Sequence, residues 1–268
     1  MREVSPHLQV FDLPEQFDDG IVIGRGRLDG SPVFVAAQEG RFMGGAFGEV
    51  HGAKLTGLLH AARDIKSMPV LILFDTGGVR LQEANAGELA IAEIMRAVIE
   101  ARTAGVKVIG LIGGHSGCYG GGGLIAGCCS ALVVSEQGRI AVSGPEVIET
   151  NRGVEEFDSR DHALVWRTMG GKHRRLIGGA EVFVDDTAQA FREAALELVR
   201  STGGFGIDTL KAEQSRLEDR LQRFGTCRDA VEIWTAEGIL DAASIPELPA
   251  DQFIPLADKV WRTGRDAR

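Results

Sequence analysis

The amino-acid sequence predicts an α/β protein in which helices pack against mainly parallel strands. Short apolar runs rich in β-branched residues recur along the chain, and segments with helical spacing of apolar residues separate them. The 268 residues are 44% hydrophobic, which is ample for a buried core, and 29 Lys+Arg against 38 Asp+Glu give a net charge of −9. That acidic balance argues against a general binder of nucleic acid or of anionic membranes.

Each element rests on a local pattern. Residues 21–28 and 32–37 flank the turn Asp29-Gly30-Ser31, which is typical of a hairpin. The runs 69–75 (PVLILFD) and 106–112 are almost wholly apolar, as expected of strands buried on both faces. Between these two strands, apolar residues recur at helical spacing at Ile91, Ile94, Met95, Val98 and Ala101.

The predicted elements alternate in a regular order. In the first half they are a hairpin of strands 21–28 and 32–37, a glycine-rich loop 41–48, a helix 49–65, a strand 69–75, a turn 76–78, a helix 82–102 and a strand 106–112. In the second half they are a glycine loop 113–123, a helix 124–129, strands 131–135 and 139–143, a helix opened by Gly144-Pro145, a charged segment 151–175, a strand 182–184, an amphipathic helix over 188–198 and a polar helical tail after Gly203-Gly204.

Several classes of protein are excluded by what the sequence lacks. The four cysteines, Cys118, Cys128, Cys129 and Cys227, form no C-x-x-C pair and have no histidine spacing of a zinc site, so we expect no metal and free thiols in a reducing compartment. The segment Met1–Gln9 has no apolar core of signal-peptide type, and no apolar run is of membrane-spanning length. We expect a soluble, cytoplasmic protein.

Glycine at two strand-to-helix junctions suggests a chemical role for the backbone. Gly77 and Gly78 follow the strand that ends at Asp75, and nine of the 36 glycines lie between Gly110 and Gly127. Glycine lets a ligand approach peptide N–H groups closely, and unpaired N–H groups at a helix N-terminus stabilise negative charge. Two such junctions could converge on one oxygen as an oxyanion hole.

Two other interpretations of these glycines stay open on spacing alone. They can be helix-packing positions and tight turns, or they can bind a nucleotide. The strict phosphate-loop motif is absent, since Gly48 to Lys54 misses its spacing and its final hydroxyl residue. Gly121, Gly123 and Gly127 match only a relaxed dinucleotide motif, and the helix available there is short for that fold.

At these residues the chain resembles the carboxyltransferase family, and within it the β subunits of biotin-independent malonate decarboxylases. The matching runs are Phe42-Met43-Gly44-Gly45, Gly52-Ala53-Lys54, the stretch 77–83 (GGVRLQE), the Gly120-Gly121 junction and the stretch 144–149 (GPEVIE). Their order spans roughly residues 21–199, and 156–161 with Trp166-Arg167 resemble the decarboxylase branch. The zinc ribbon of related acetyl-CoA carboxylase β subunits is missing, which favours that branch.

The resemblance implies a crotonase-like (ClpP/crotonase) fold of repeated ββα units. It implies a carboxyltransferase-like domain over 1–205 and a helical C-terminal extension over 206–268, for which a subunit contact is one expected role. The implied activity is decarboxylation of a malonyl thioester on an acyl carrier protein to an acetyl thioester and CO2, through an enolate. No cofactor is expected on the chain itself; the phosphopantetheine-type arm of the carrier, or coenzyme A, carries the substrate. Expected partners are a homologous γ subunit, the acyl carrier (δ) subunit and an α acyltransferase subunit.

Carried over to this sequence, the resemblance places one oxyanion donor within 77–79, with Gly78 preferred, and the other at Gly120 or Gly121. Substrate contacts are expected from Gly44, Gly45, Gly77, Val79, Arg80 and Glu146.

Side chains near the glycines have two interpretations each. Tyr119, the only tyrosine, can protonate the enolate carbon or orient the carboxylate, and packing of its ring is the alternative. His115 can act as an acid near neutral pH or cap a turn. Arg80 can hold an anion or anchor the turn to Glu83. The basic cluster 172–175 is a candidate dock for an acidic carrier protein, with a solvated face as the alternative.

Two other functions remain in view. One is a biotin-dependent acyl-CoA carboxyltransferase subunit, and the other is a non-catalytic scaffold in which the glycines serve only subunit packing.

Overall fold

A computed structural model describes residues 17–266, so the segment Met1–Gln9 lies outside the described residues. Its strands are β1 Ile21–Leu28, β2 Ser31–Gln38, β3 Val70–Phe74, β4 Val108–Ile112, β5 Cys118–Tyr119, β6 Ala131–Val134, β7 Ile140–Ala141 and β8 Val182–Phe183. Its α-helices are α1 Glu49–Ile65, α2 Asn85–Thr103, α3 Gly121–Cys128, α4 Pro145–Arg152, α5 His162–Met169, α6 Gly171–Leu176, α7 Ala188–Ser201, α8 Ile207–Phe224, α9 Ala230–Ala236 and α10 Ala250–Asp266.

Six strands form one sheet in the order β1-β2-β3-β4-β6-β8, and β5 and β7 pair in a second sheet. Only the β1–β2 hairpin is antiparallel; β2, β3, β4, β6 and β8 run parallel, with helices in the crossovers. Helix α1 has the predicted bounds, and the hairpin and both buried strands are confirmed to within two residues. The predicted α/β class is therefore confirmed.

The sheet separates two apolar clusters. Because side chains alternate along a strand, Val70, Ile72 and Phe74 of β3 face the cluster that includes α1 and α2, whereas Leu71 faces the cluster beneath α7. The alternation fixes the register of β3, since a slip by one residue would exchange the two faces.

The C-terminal segment continues the first cluster. Trp234, Ile245 and Phe253 are almost fully buried and pack with the sheet core, while helix α8 contains no buried residue. The division at residue 205 stays a prediction. Among helices of the described residues, none is long and apolar enough to cross a bilayer.

Helix α3 starts earlier than expected, at Gly121 instead of Leu124. A Cβ at Gly121 would lie 2.5 Å from the Ile91 side chain, one at Gly122 would lie 2.4 Å from the Thr76 side chain, and one at Gly123 would lie 2.5 Å from the Ala141 carbonyl oxygen. Three glycines of the predicted loop are thus the first turn of a helix that packs closer than any side chain permits.

The basic cluster 172–175 is not a docking face. Lys172, His173 and Arg175 are each more than 90% buried. The Lys172 ammonium is 2.8 Å from Glu136 Oε2 and donates to the Pro246 carbonyl, and Arg175 pairs with Asp258 at 2.8 Å. The prediction that this cluster receives an acidic carrier protein is wrong, because helix α10 packs against α6, which carries these residues.

Candidate active site

The two glycine turns meet at the carboxyl ends of β3 and β5. Thr76 and Cys118 form a parallel bridge, in which the Thr76 N–H donates to the Gly117 carbonyl (2.8 Å) and the Tyr119 N–H to the Thr76 carbonyl (3.0 Å). Gly78 and Gly120 both have positive φ, +131° and +56°. A Cβ added to Gly120 would lie 3.2 Å from Gly78 Cα, so the two turns are in direct backbone contact.

A third turn, Met43–Gly45, lies against the first. The Gly44 carbonyl accepts from the Gly77 N–H at 2.8 Å, and a Cβ at Gly45 would overlap the Asp75 carbonyl oxygen at 1.7 Å. Four of the expected substrate-contact residues, Gly44, Gly45, Gly77 and Val79, are thereby brought beside the expected donors.

The amides of the turn after β3 differ in what they bind. The Gly77 N–H is taken by Gly44, and the Gly78 N–H donates to Thr76 Oγ1 at 3.1 Å. Within the described part of the chain, the Val79 N–H has no acceptor. The Gly78 carbonyl and the Arg80 N–H both bond to Phe47, and since such groups alternate along extended backbone, the Val79 N–H points to the opposite side. Val79 therefore offers the free donor of this turn.

The second turn offers the N-terminus of α3. Gly120 precedes the helix, and Gly121 is its first residue. The first N–H groups of a helix have no acceptor within the helix and carry partial positive charge from the helix dipole. Two backbone sources of positive potential, the Val79 amide and the start of α3, thus flank the contact between Gly78 and Gly120.

The predicted acid residues lie in different surroundings. Tyr119 is buried, and burial raises its pKa. A Cβ at Gly117 would lie 2.8 Å from the Tyr119 ring, so the ring packs on the glycine turn. His115 is exposed, and its carbonyl accepts from Arg139. Glu146 is exposed in the first turn of α4.

Arg80 occupies a buried ion-pair network. Its Nη1 lies 2.8 Å from Asp19 Oδ1 and 3.0 Å from Glu83 Oε1, and its Nη2 donates to the Asp19 carbonyl. Only 1% of Arg80 is exposed. Of its two predicted roles, the geometry favours anchoring of the turn over contact with a substrate anion.

Sequence reasoning missed the polar residues that hold the three turns. His51 Nδ1 lies 3.1 Å from the Asp19 carbonyl, which only accepts, so Nδ1 carries the proton and Nε2 accepts from the Gln38 amide at 3.1 Å. Gln38 Oε1 in turn accepts from the Asp75 N–H. Burial lowers the pKa of His51 to about 3, which keeps the ring neutral.

A signal for this network was present in the sequence. His51 lies on the same helical face as Leu55, Leu58 and Leu59, and these three leucines are buried. A polar residue on a core-facing stripe needs a buried partner, but its identity depends on residues distant in sequence.

Comparison with known proteins identifies the family. The model of the carboxyl transferase domain matches residues 3–190, about two thirds of the chain. The chain belongs to the carboxyl transferase family. The chain is therefore an enzyme subunit with a crotonase-type fold.

Relatives of this carboxyl transferase include decarboxylating enzymes. It is 36% identical to the malonyl-S-ACP:biotin-protein carboxyltransferase MADC of Malonomonas rubra, in an alignment that covers 96% of its own length and 86% of the relative's. Its structure matches one chain of a Pseudomonas malonate decarboxylase hetero-tetramer that was solved in complex with malonate. The TM-score is 0.78 and the identity 38%, and the match covers 87% of this chain and 85% of that one. A transcarboxylase 12S chain matches with a TM-score of 0.58 and 26% identity, over 68% of this chain and 33% of that one.

Proposed function

We propose that this chain is the β-type subunit of a malonate decarboxylase and converts a malonyl thioester to an acetyl thioester and CO2. The observation that carries the proposal is the contact between the Gly78 and Gly120 turns, flanked by the unpaired Val79 amide and the start of α3. The names of the relatives supply the substrate class.

Decarboxylation of a malonyl thioester needs hydrogen-bond donors fixed at the thioester oxygen. When the C–C bond to the carboxylate breaks, its electron pair moves into the thioester carbonyl, leaving CO2 and an enolate with negative charge on oxygen. Donors fixed at that oxygen bind the transition state more tightly than the ground state. One such donor is worth about 3–4 kcal/mol.

We assign the donors to the N–H groups of Val79 and Gly121. Gly78, preferred on the sequence, already donates to Thr76 Oγ1 and acts instead as the glycine that permits close approach. Thr76 then serves to fix the turn, because its hydroxyl also lies 3.3 Å from the Gly78 carbonyl.

The enolate carbon takes up one proton in each turnover. Tyr119 is protonated at neutral pH, since burial raises its pKa further from 10, and it directly precedes Gly120. After it gives its proton to the enolate carbon, the phenolate takes up a proton from solvent. We therefore prefer it to the exposed His115 as the donor. Tyr119→Phe is expected to lower kcat without changing KM, and an unchanged kcat would assign proton delivery elsewhere.

The substrate carrier and the partners follow from the relatives. The names of the Malonomonas and Pseudomonas proteins point to a malonyl group on an acyl carrier protein and to a heteromeric complex. We propose a phosphopantetheine-type arm, or coenzyme A, as carrier, with a carboxyltransferase-like γ subunit, a carrier (δ) subunit and an α acyltransferase subunit as partners.

A second candidate is transfer of the carboxyl group to biotin. It is favoured by the name of the Malonomonas relative, a biotin-protein carboxyltransferase. Both reactions pass through the same enolate and differ in whether CO2 is released or carried away.

The deciding experiment measures release of labelled CO2 from malonyl-carrier protein by the assembled complex, with and without avidin. Release unaffected by avidin supports decarboxylation, and release that requires biotin supports the transferase. If neither reaction occurs while the complex stays assembled, the chain is a scaffold.

A further inference from the structure

A cavity lies beside the paired strands β5 and β7. It has a volume of about 970 Å³ and is bounded by the end of β7, helix α4 and the segment that leads into α6. Ala141 of its wall pairs with Tyr119, the residue before Gly120. The carbonyl of Ala141 also packs on Gly123 of α3. The cavity wall therefore shares backbone contacts with the strand and the helix that carry the proposed oxyanion site.

The charge in the cavity is unbalanced. Arg152, Arg174 and Arg228 line it, against a single carboxylate from Glu156. Glu156 is already paired with Arg152 at 2.9 Å. Among the residues that the structure describes, neither Arg174 nor Arg228 has an acidic partner.

Arg174 is the lining arginine that is partly shielded from solvent. Its Nε is shielded from solvent and lacks a hydrogen-bond partner in the described structure, whereas Arg228 is exposed. Burial, together with the nearby charge of Arg220, lowers the pKa of Arg174 to about 10. A shielded guanidinium nitrogen without an acceptor costs free energy that a bound anion would recover.

The remaining lining suits a short organic anion. Ile148, Phe157 and Met169 provide apolar walls, and the Ser143 hydroxyl provides a polar group near β7. Apolar walls beside converging polar groups are common in small-molecule sites.

We propose that this cavity receives the free carboxylate of the acyl thioester, with Arg174 as its partner. The proposal rests on the proposed function, which seats the thioester carbonyl at Val79 and Gly121. In a malonyl group one methylene separates the carboxylate from that carbonyl, so the proposal requires the two subsites to adjoin, which agrees with the pairing of Ala141 with Tyr119. Arg174 is then the residue that selects malonyl over acetyl thioesters.

The charge of the substrate carboxylate determines which kinetic constant changes when Arg174 is replaced. The carboxylate loses its charge as CO2 departs, so a contact to Arg174 stabilises the ground state more than the transition state. Loss of this contact should raise KM for malonyl-carrier protein at least tenfold, while kcat stays the same or rises.

The test is calorimetric titration of the assembled complex with two probes. Sulfoacetyl-CoA keeps an anionic group in place of the carboxylate and cannot lose CO2; acetyl-CoA lacks the anion. We expect Arg174→Met to weaken sulfoacetyl-CoA binding tenfold to a hundredfold and acetyl-CoA binding less than twofold. Arg174→Lys, which keeps the charge, should restore part of the loss, and Arg200→Met, on the surface beside Asp29, should change neither.

Equal weakening of both probes would assign Arg174 to the phosphates of the carrier arm or to the fold, and would overturn the proposal. No weakening of either probe would overturn it as well. The binding test does not depend on the activity test. If the complex releases no CO2 but Arg174→Met still weakens binding of sulfoacetyl-CoA selectively, the proposed decarboxylation is refuted and the carboxylate site is supported.

Discussion

Replacement of Gly120 by alanine is the sharpest perturbation of the oxyanion site. Gly120 has φ +56° and ψ −129°, a combination that an L side chain rarely adopts. The added Cβ would lie 3.2 Å from Gly78 Cα, closer than ordinary van der Waals contact. The two turns must therefore separate, which also displaces the first residue of α3.

The size of the effect follows from that separation. Restoring ordinary carbon–carbon contact needs a shift of a few tenths of an ångström, which approaches the tolerance of about 0.5 Å within which catalytic groups must be held. Loss of one oxyanion donor lowers kcat about 10²- to 10³-fold, or about 2.7–4 kcal/mol. Backbone strain should cost about 1–3 kcal/mol of folding stability in addition.

The assay is steady-state decarboxylation of malonyl-carrier protein by the assembled complex, with urea unfolding of the isolated chain. Gly127→Ala is the matched control, because Gly127 lies on the same helix with nothing within 4 Å of an added Cβ. It should leave kcat unchanged and stabilise the helix by up to about 1 kcal/mol. If Gly120→Ala keeps kcat within twofold of Gly127→Ala in an intact complex, the assignment of the enolate site to these turns is wrong.

Three further predictions concern stability and assembly. Burial lowers the pKa of His51 and of His173 from 6.5 to about 3. Below pH 6.5 the unfolded chain therefore binds more protons than the folded chain, and the free energy of unfolding falls as the pH drops. The expected loss at pH 5.5 is about 1.4 kcal/mol per histidine. Urea unfolding at pH 7.5 and 5.5 checks this, and His173→Phe should halve the difference. Arg80→Met should lower the free energy of unfolding by about 3–5 kcal/mol, because it leaves two buried carboxylates without their cationic partner. Arg96→Met removes an exposed ion pair and should lower it by less than about 1 kcal/mol in the same assay. Leu240→Asp, at a fully exposed side chain, should leave the melting temperature unchanged but weaken co-elution with partner subunits on size-exclusion chromatography; unchanged co-elution would place the contact elsewhere.

Sequence patterns predicted the helices and strands well where the spacing of apolar residues is regular. Helix α1 and the strands β3 and β4 follow from apolar periodicity within a few residues. The Gly77 and Gly120 turns meet through the bridge between Thr76 and Cys118, which joins the two sheets and has no local signal in the sequence. The same logic failed at α3, because only contact with distant Ile91 and Thr76 explains glycine inside a helix.

The sequence did not predict which charged side chains are buried. Lys172 and Arg175 form a basic cluster when read locally, yet each is paired across more than 30 residues with Glu136 or Asp258. Arg80 and Asp19 are separated by 61 residues. Which carboxylate neutralises a buried cation depends on tertiary packing, so composition and periodicity do not reveal it.

The choice of peptide amides as donors at Val79 and Gly121 has a consequence for how such a site is found. Alanine scanning removes side-chain atoms, but here the reactive groups belong to the main chain and persist in every variant. At the glycines, alanine adds an atom instead of deleting one. The site would therefore be silent to a survey that looks for lost functional groups, and visible only to one that perturbs backbone geometry.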